Sequence, residues 1–272
     1  MTAAPIPWAG LVTGAAGGIG QAICWALVAQ ARRDGRPVHL VAAASRPSAA
    51  LDTLLEALRA GGATATAVFG DLTDPAACRG LVQATLAQTE GRLDTLVSNA
   101  GASVPGALAD LAVEAWDASF ALNVRATWLL AQAARAALSA SRGSVVAIAS
   151  MSGLHPHPGY GAYSPAKAAL VMLCRQLAQE WSADGIRVNA VCPGMVRTPL
   201  TEAVYQDDGV RERREQLVPL GRIGTADDIG GAVAYLASAA AGYVTGQALT
   251  VDGGLAEHML SMIPGRPRKV AA

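Results

Sequence analysis

The chain has 272 residues, 52% of them hydrophobic, which is enough for one large buried core and excludes a disordered or tail-like protein. Twenty-one basic side chains balance 21 acidic ones, so no global field gathers nucleic acid or an anionic membrane. The four cysteines, Cys24, Cys78, Cys174 and Cys192, are too dispersed for a disulfide framework or a CxxC metal site, and a reducing, cytoplasmic setting is expected.

The opening MTAAPIPWAGLVTGAAGG has no basic segment leading into an apolar signal sequence. Residues 8–12 form an apolar strand candidate, and TGAAGGIG leads from it into an Ala/Leu-rich helix over 21–33. A second strand, Val38–Ala44, precedes a helix over 49–59. Further short strands are predicted at 65–69, Thr95–Ser98, 144–149, 187–191 and Ala248–Val251, with helical stretches between them. No apolar run reaches the roughly 20 residues of a membrane span, so a soluble protein is expected. The β/α alternation predicts a single-domain, Rossmann-like α/β fold, a doubly wound parallel sheet flanked by helices, over 1–255. Residues 256–272 read as a C-terminal tail, whose Arg266, Arg268 and Lys269 are too few for nucleic-acid binding.

The first chemical signal is the turn from Thr13 to Gly20. Closely spaced glycines between a strand and a helix let peptide N–H groups approach a pyrophosphate at the positive end of the helix. Gly14, Gly18, Ile19 and Gly20 are the candidates for that contact. The GKS or GKT of an ATPase phosphate loop is absent. At the end of the second strand, VHLVAAASR carries no acid to accept from the ribose hydroxyls, and Ser45 and Arg46 suit a 2′-phosphate. NADP(H) is therefore preferred, with NAD(H) the alternative. Asp71 and Leu72 follow the third strand, where Asp71 can accept from the adenine amino group or open a helix.

The second signal is Ser150 followed by Tyr163 and Lys167. Four positions apart, Tyr163 and Lys167 share a face if the stretch is helical, and an ammonium there stabilises developing phenolate. Lys167 and Lys269 are the only lysines in a chain that otherwise uses arginine, which fits a position needing a compact ammonium. Ser150, at a strand end, can donate to a reacting oxygen.

TGAAGGIG, Asp71, Asn99-Ala100-Gly101, Asn123, Ser150, Tyr163, Lys167 and Pro193-Gly194, in that order, resemble the short-chain dehydrogenase/reductase family over roughly residues 8–255. The resemblance implies hydride exchange between a nicotinamide cofactor and a ketone or secondary alcohol, with Tyr163 as general acid/base. It implies that Lys167 holds the nicotinamide ribose and that Asn123 supports a water chain. It further implies that Asn99, Ala100 and Gly101 flank the adenine ribose, and that Pro193, Gly194 and Thr198 lie beside the nicotinamide. Ser98 stands where the family usually has another asparagine.

Substrate selection is expected from 103–106, 151–160 and 195–209, where Met151, Leu154 and Met195 suggest a partly apolar wall. His155 and His157 lack a metal-ligand cluster and read as rim residues, with Tyr160 packing on the substrate or on its own loop. Trp116, Phe120 and Trp128 read as core or subunit contacts. The C-terminal segment resembles that of 3-ketoacyl-carrier-protein reductases, which makes such a substrate one alternative and a homotetramer, or a homodimer, the expected assembly. A nucleotide-binding regulatory or scaffold protein without turnover is the alternative outside enzymology.

Overall fold

The computed structural model describes residues 6–258. The tail basic residues Arg266, Arg268 and Lys269 lie outside the described residues. From the start of the chain, β1 (Trp8–Thr13) is followed by α1 (Gly18–Arg33), β2 (Val38–Ala44), α2 (Ala49–Ala60) and β3 (Thr64–Phe69). The middle third comprises α3 (Pro75–Gln88), β4 (Thr95–Ser98), α4 (Val113–Phe120), α5 (Ala126–Ser141) and β5 (Ser144–Ile148). Next come α6 (Tyr163–Trp181), β6 (Arg187–Pro193), the two-residue β7 (Val196–Arg197), α7 (Glu202–Tyr205) and α8 (Asp208–Leu217). The two-residue β8 (Gly224–Thr225), α9 (Ala226–Ala237) and β9 (Ala248–Val251) complete the order.

Seven strands form one parallel sheet in the order β3-β2-β1-β4-β5-β6-β9, which is the doubly wound arrangement expected from the alternation. In register, Leu11 lies between Val41 and Leu96. The central strands bury both faces, so their apolar runs are continuous rather than alternating. One face packs under α3, α5 and α6 through Leu81, Leu130, Leu138 and Leu170. The other packs under α1, α2 and α9 through Ile23, Leu27, Leu54, Ile229 and Val233. Helices α1 and α9 approach closely because Gly230 has no side chain; a Cβ there would stand 2.8 Å from the Ala22 carbonyl oxygen.

The chain leaves β1 toward β2 and β3 and then crosses back to β4, so the order reverses between β1 and β4. A crevice opens there, beyond the carboxyl ends of the strands. How the helices begin matters for this crevice. Ser48, Asp74, Asp207 and Thr225 cap α2, α3, α8 and α9 with their side chains, Thr225 within a capping box. By contrast α1 starts at Gly17 with no side-chain cap. Its first turn therefore presents free N–H groups to the crevice. The sequence placed its start three residues later, at Gln21, because glycines disfavour helix interiors.

At the opposite rim, the amino end of β4, Asp94 is nearly buried and binds three partners. It accepts from the Ala9 amide at 2.9 Å and forms ion pairs with Arg36 at 2.9 Å and Arg92 at 2.6 Å. This cluster joins β1, β4 and the turn before β2.

Candidate active site

The crevice is a cavity of about 500 Å³ lined from end to end by residues at the strand ends. Gly14, Gly18, Ile19 and Gly20 form its floor, together with Gly17. Gly17 donates to the Gly14 carbonyl, and the first α1 bond is made by Gln21 to Gly17, which leaves the amides of Gly18 to Gly20 ahead of it. Gly14 needs its hydrogen side chain for a positive φ of 65°. At Gly20 a methyl group would overlap the Gly14 carbonyl oxygen, so only glycine lets the helix begin this close to the strand. Free amides, the positive helix end and a floor without side chains fit a pyrophosphate.

Thr13 lies beneath this floor rather than in it. Its buried hydroxyl accepts the Asn99 and Ala100 amides, both at 3.0 Å, while the Asn99 side chain donates to the Thr13 and Gly14 carbonyls at 2.9 and 3.2 Å. These bonds tie the end of β4 to the glycine turn and place Asn99, Ala100 and Gly101 along the cavity wall. Ser98 spends its hydroxyl on Thr127 at 2.7 Å, inside the fold.

At the end beyond β2 and β3 the cavity is lined by Ser45, Asp71, Leu72 and Thr73. One Asp71 carboxylate oxygen accepts from both the Thr73 amide and hydroxyl, and these bonds hold its carboxyl below the usual range. Arg46 is exposed just past Ser45, outside the wall, and makes no ion pair among the described residues. Thr198 lines the other end with Leu122 and Leu200. Its backbone and hydroxyl are held by the Thr201 hydroxyl. Pro193 and Gly194 end β6 against Val251 and Asp252, behind that wall rather than in it.

Tyr163, Lys167 and Asn123 lie beyond Gly101. A Cβ on Gly101 would be 2.7 Å from the Asn123 side-chain oxygen and 3.1 Å from Lys167 Nζ, so this glycine is the seam between the cavity and the buried amine. Tyr163 is the first residue of α6, and Lys167 one turn later shares its face; Nζ is 5.5 Å from the Tyr163 ring centre. Lys167 is buried and donates to the Ile148 carbonyl at 2.8 Å. Burial pushes its pKa down to about 8. Burial also pushes the Tyr163 phenol up, while the Ser150 hydroxyl beside it works in the opposite direction. Asn123 sits in a single widened π turn between α4 and α5. Its Nδ2 donates to Ala102 at 2.9 Å and Ser119 at 3.0 Å, leaving Oδ1 buried without a partner.

Ser150 caps the short turn 151–153 by accepting the Ser152 amide at 3.1 Å. The segment that returns to Tyr163 is pinned to the loop after β4, where Gly106 donates to Gly159 at 2.8 Å and accepts from Gly161 at 2.9 Å. A second cavity of about 400 Å³ lies along it, lined by Leu108, Leu154, His155, His157 and Ser164 among others. Trp116 stacks on Phe120 at 5.0 Å, yet Trp116 and Trp128 are exposed and do not belong to the core. Sequence reasoning passed over Gly17, Thr73, Leu122 and Leu200 as wall residues. Gly17 lay within the quoted turn, Thr73 two residues after Asp71 and Leu122 next to Asn123, whereas Leu200 lay in the segment 195–209 read for substrate selection.

Residues 14–256 match the family model described as Enoyl-(Acyl carrier protein) reductase. The chain is 40% identical over 253 residues to 2-(S)-hydroxypropyl-CoM dehydrogenase 3 of Xanthobacter autotrophicus, covering 90% of this chain and 94% of the relative. An oxidoreductase of the short chain dehydrogenase/reductase family from Burkholderia thailandensis superposes with a TM-score of 0.79 at 37% identity, over 94% of this chain and 98% of that one. The NADP active-site complex of Pseudomonas aeruginosa RhlG superposes with a TM-score of 0.83 at 32% identity, over 93% and 98% of the two chains. A match across nearly the whole length, on a seven-stranded parallel sheet, leaves one assignment: the chain belongs to the short-chain dehydrogenase/reductase family and is an oxidoreductase.

Proposed function

We propose that the protein interconverts a ketone and a secondary alcohol, with NADP(H) as the preferred cofactor and NAD(H) as the alternative. The observation carrying this reading is the placement of Tyr163 and Lys167 on one face of α6, with Ser150 beside the phenol. The dinucleotide, when bound, supplies or accepts the hydride. In reduction Tyr163 gives its phenolic proton to the substrate oxygen, and its burial keeps that proton in place at neutral pH. Ser150 donates to the same oxygen and fixes its position. The Lys167 ammonium lowers the energy of the phenolate left behind. Asn123 Oδ1, lacking a protein partner, accepts from a water between it and Lys167, along which the tyrosine regains its proton. Oxidation runs the same steps backward.

The absence of an acid at the end of β2, with Ser45 on the wall and Arg46 next to it, supports the 2′-phosphate. The NADP-bound relative is consistent with this preference. Exposed Trp116, Trp128 and Met172 on α4, α5 and α6 support a homotetramer or homodimer. The four buried, free cysteines are in keeping with a cytoplasmic enzyme. No helix of the described residues is long and apolar enough to cross a membrane.

NADPH and NADH oxidation across a panel of ketones, repeated with Tyr163→Phe, tests the reading. The variant should bind NADPH like the wild type and lose about 10²- to 10⁴-fold in turnover. Equal turnover in the two proteins rejects the role of Tyr163.

A further inference from the structure

His157 is exposed, yet its ring is held by one hydrogen bond and one ring stack. Pro156 and Pro158 flank it; the first has its own φ fixed, and the second restricts His157 to an extended backbone. Its Nδ1 is hydrogen-bonded to the Ser152 hydroxyl at 2.9 Å. Its ring stacks on Tyr160 with centres 3.8 Å apart, and Tyr160 in turn leans on Tyr163 with centres 6.5 Å apart. Ser152 is buried, and its amide is the one donated to Ser150 Oγ at 3.1 Å. One imidazole therefore touches two short chains of contact, one ending at the Ser150 hydroxyl and the other at the Tyr163 ring.

Resting on the carbonyl–alcohol reading above, we infer that His157 is a positioning residue that sets the direction of the Ser150 proton and the pose of the Tyr163 ring. A hydroxyl has one proton and two acceptor lone pairs. Because the Ser152 amide occupies one lone pair of Ser150, the Ser150 proton is directed away from the loop and toward the reacting oxygen. The imidazole keeps Ser152 in place for that bond, and its stack on Tyr160 closes the loop against Tyr163. A surface histidine serving only the loop would need neither link.

The test uses the full-length enzyme, NADPH and the ketone that the wild type reduces fastest. His157→Phe keeps the stack and removes the bond to Ser152, whereas His157→Asn places an amide head near the Nδ1 position. His157→Phe should lower kcat about five- to tenfold, the effect of one neutral hydrogen bond, with NADPH affinity and melting temperature unchanged. His157→Asn should recover most of that loss. In a Ser150→Ala background, His157→Phe should add no more than about twofold, because the group it acts through is gone. Independently of turnover, hydrogen exchange at the Ser152 amide should quicken in His157→Phe. Wild-type kcat in His157→Phe, a full loss again in the Ser150→Ala background, or unchanged exchange at Ser152 overturns the inference. The Tyr163→Phe control separates the two levels. An inactive Tyr163→Phe beside a fully active His157→Phe sinks only the His157 role, and an active Tyr163→Phe sinks the reading beneath it.

Discussion

The Lys167 ammonium stands over the Tyr163 ring, 5.5 Å from its centre; among the described residues no carboxylate pairs with it, and it donates to the Ile148 carbonyl. A cation buried in this way destabilises the fold that contains it. Its folded pKa, about 8, lies below the ordinary 10.5, so at neutral pH the folded state bears the full penalty of the buried charge. Between about 8 and 10.5 the unfolded chain binds the proton more readily than the folded one, and the penalty fades as pH rises. Lys167→Met should therefore raise the melting temperature of the cofactor-free protein by a few degrees at pH 7, with a stability gain on the order of 2 kcal/mol. The gain should shrink above pH 8, and turnover should be lost. Paired thermal melts at pH 7 and pH 9.5 check the sign; a variant less stable than wild type at pH 7 contradicts it.

On the proposed mechanism the same titration should set the pH dependence of reduction. With Lys167 charged and Tyr163 protonated the site is ready, and the rate should be level below pH 7. It should fall as pH passes about 8, where the ammonium loses its proton before the phenol does. Initial rates of NADPH oxidation from pH 6 to pH 10 measure this. A falling limb confined to pH 10 and above would assign the control to Tyr163 alone.

Arg46 is exposed, free of ion pairs among the described residues, and adjacent to the wall residue Ser45. Arg46→Asp should weaken NADPH binding about tenfold or more and leave NADH nearly untouched, because a charge-assisted contact to the 2′-phosphate is replaced by repulsion. Cofactor titrations by fluorescence give both constants. Unchanged NADPH affinity removes Arg46 from the account of specificity.

At Gly20 the space for a methyl group is already filled by the Gly14 carbonyl oxygen. Gly20→Ala must push α1 away from the glycine turn, and dinucleotide affinity should drop about tenfold or more. Calorimetric titration with NADPH reads the change; wild-type affinity would mean that the turn does not cradle the phosphates.

Asp94 anchors Arg36, Arg92 and the Ala9 amide at the rim remote from the cavity. Asp94→Ala leaves two guanidinium groups and a buried amide without their acceptor, and should destabilise the protein by about 3 kcal/mol. The kcat of the folded fraction should stay at the wild-type value. Urea unfolding and kinetics on the same preparation separate the two effects.

The sheet was legible because β1, β4 and β5 are buried on both faces and, with the middles of β2 and β6, read as short, largely apolar runs. Tyr163 and Lys167 were legible because a helix converts a spacing of four into a shared face. Thr13 could be read as part of the glycine turn, but whether it faced the crevice or the sheet depended on where the Asn99 amide fell. Nor could spacing show that His157 and Ser152 meet, since their contact comes from a loop folding back on itself. The two prolines around His157 were the trace that such a return left in the sequence. Trp116 and Trp128 gave a helical periodicity without revealing which way the stripe pointed, and both are exposed.

All seven strands of the main sheet run the same way, which gives the molecule a polarity with practical weight. The glycine-floored crevice opens on one rim and the Arg36–Asp94–Arg92 clamp lies on the other. Substitutions that strengthen the clamp should therefore raise durability at a distance from the crevice, so that durability and selectivity can be tuned at opposite rims of this scaffold.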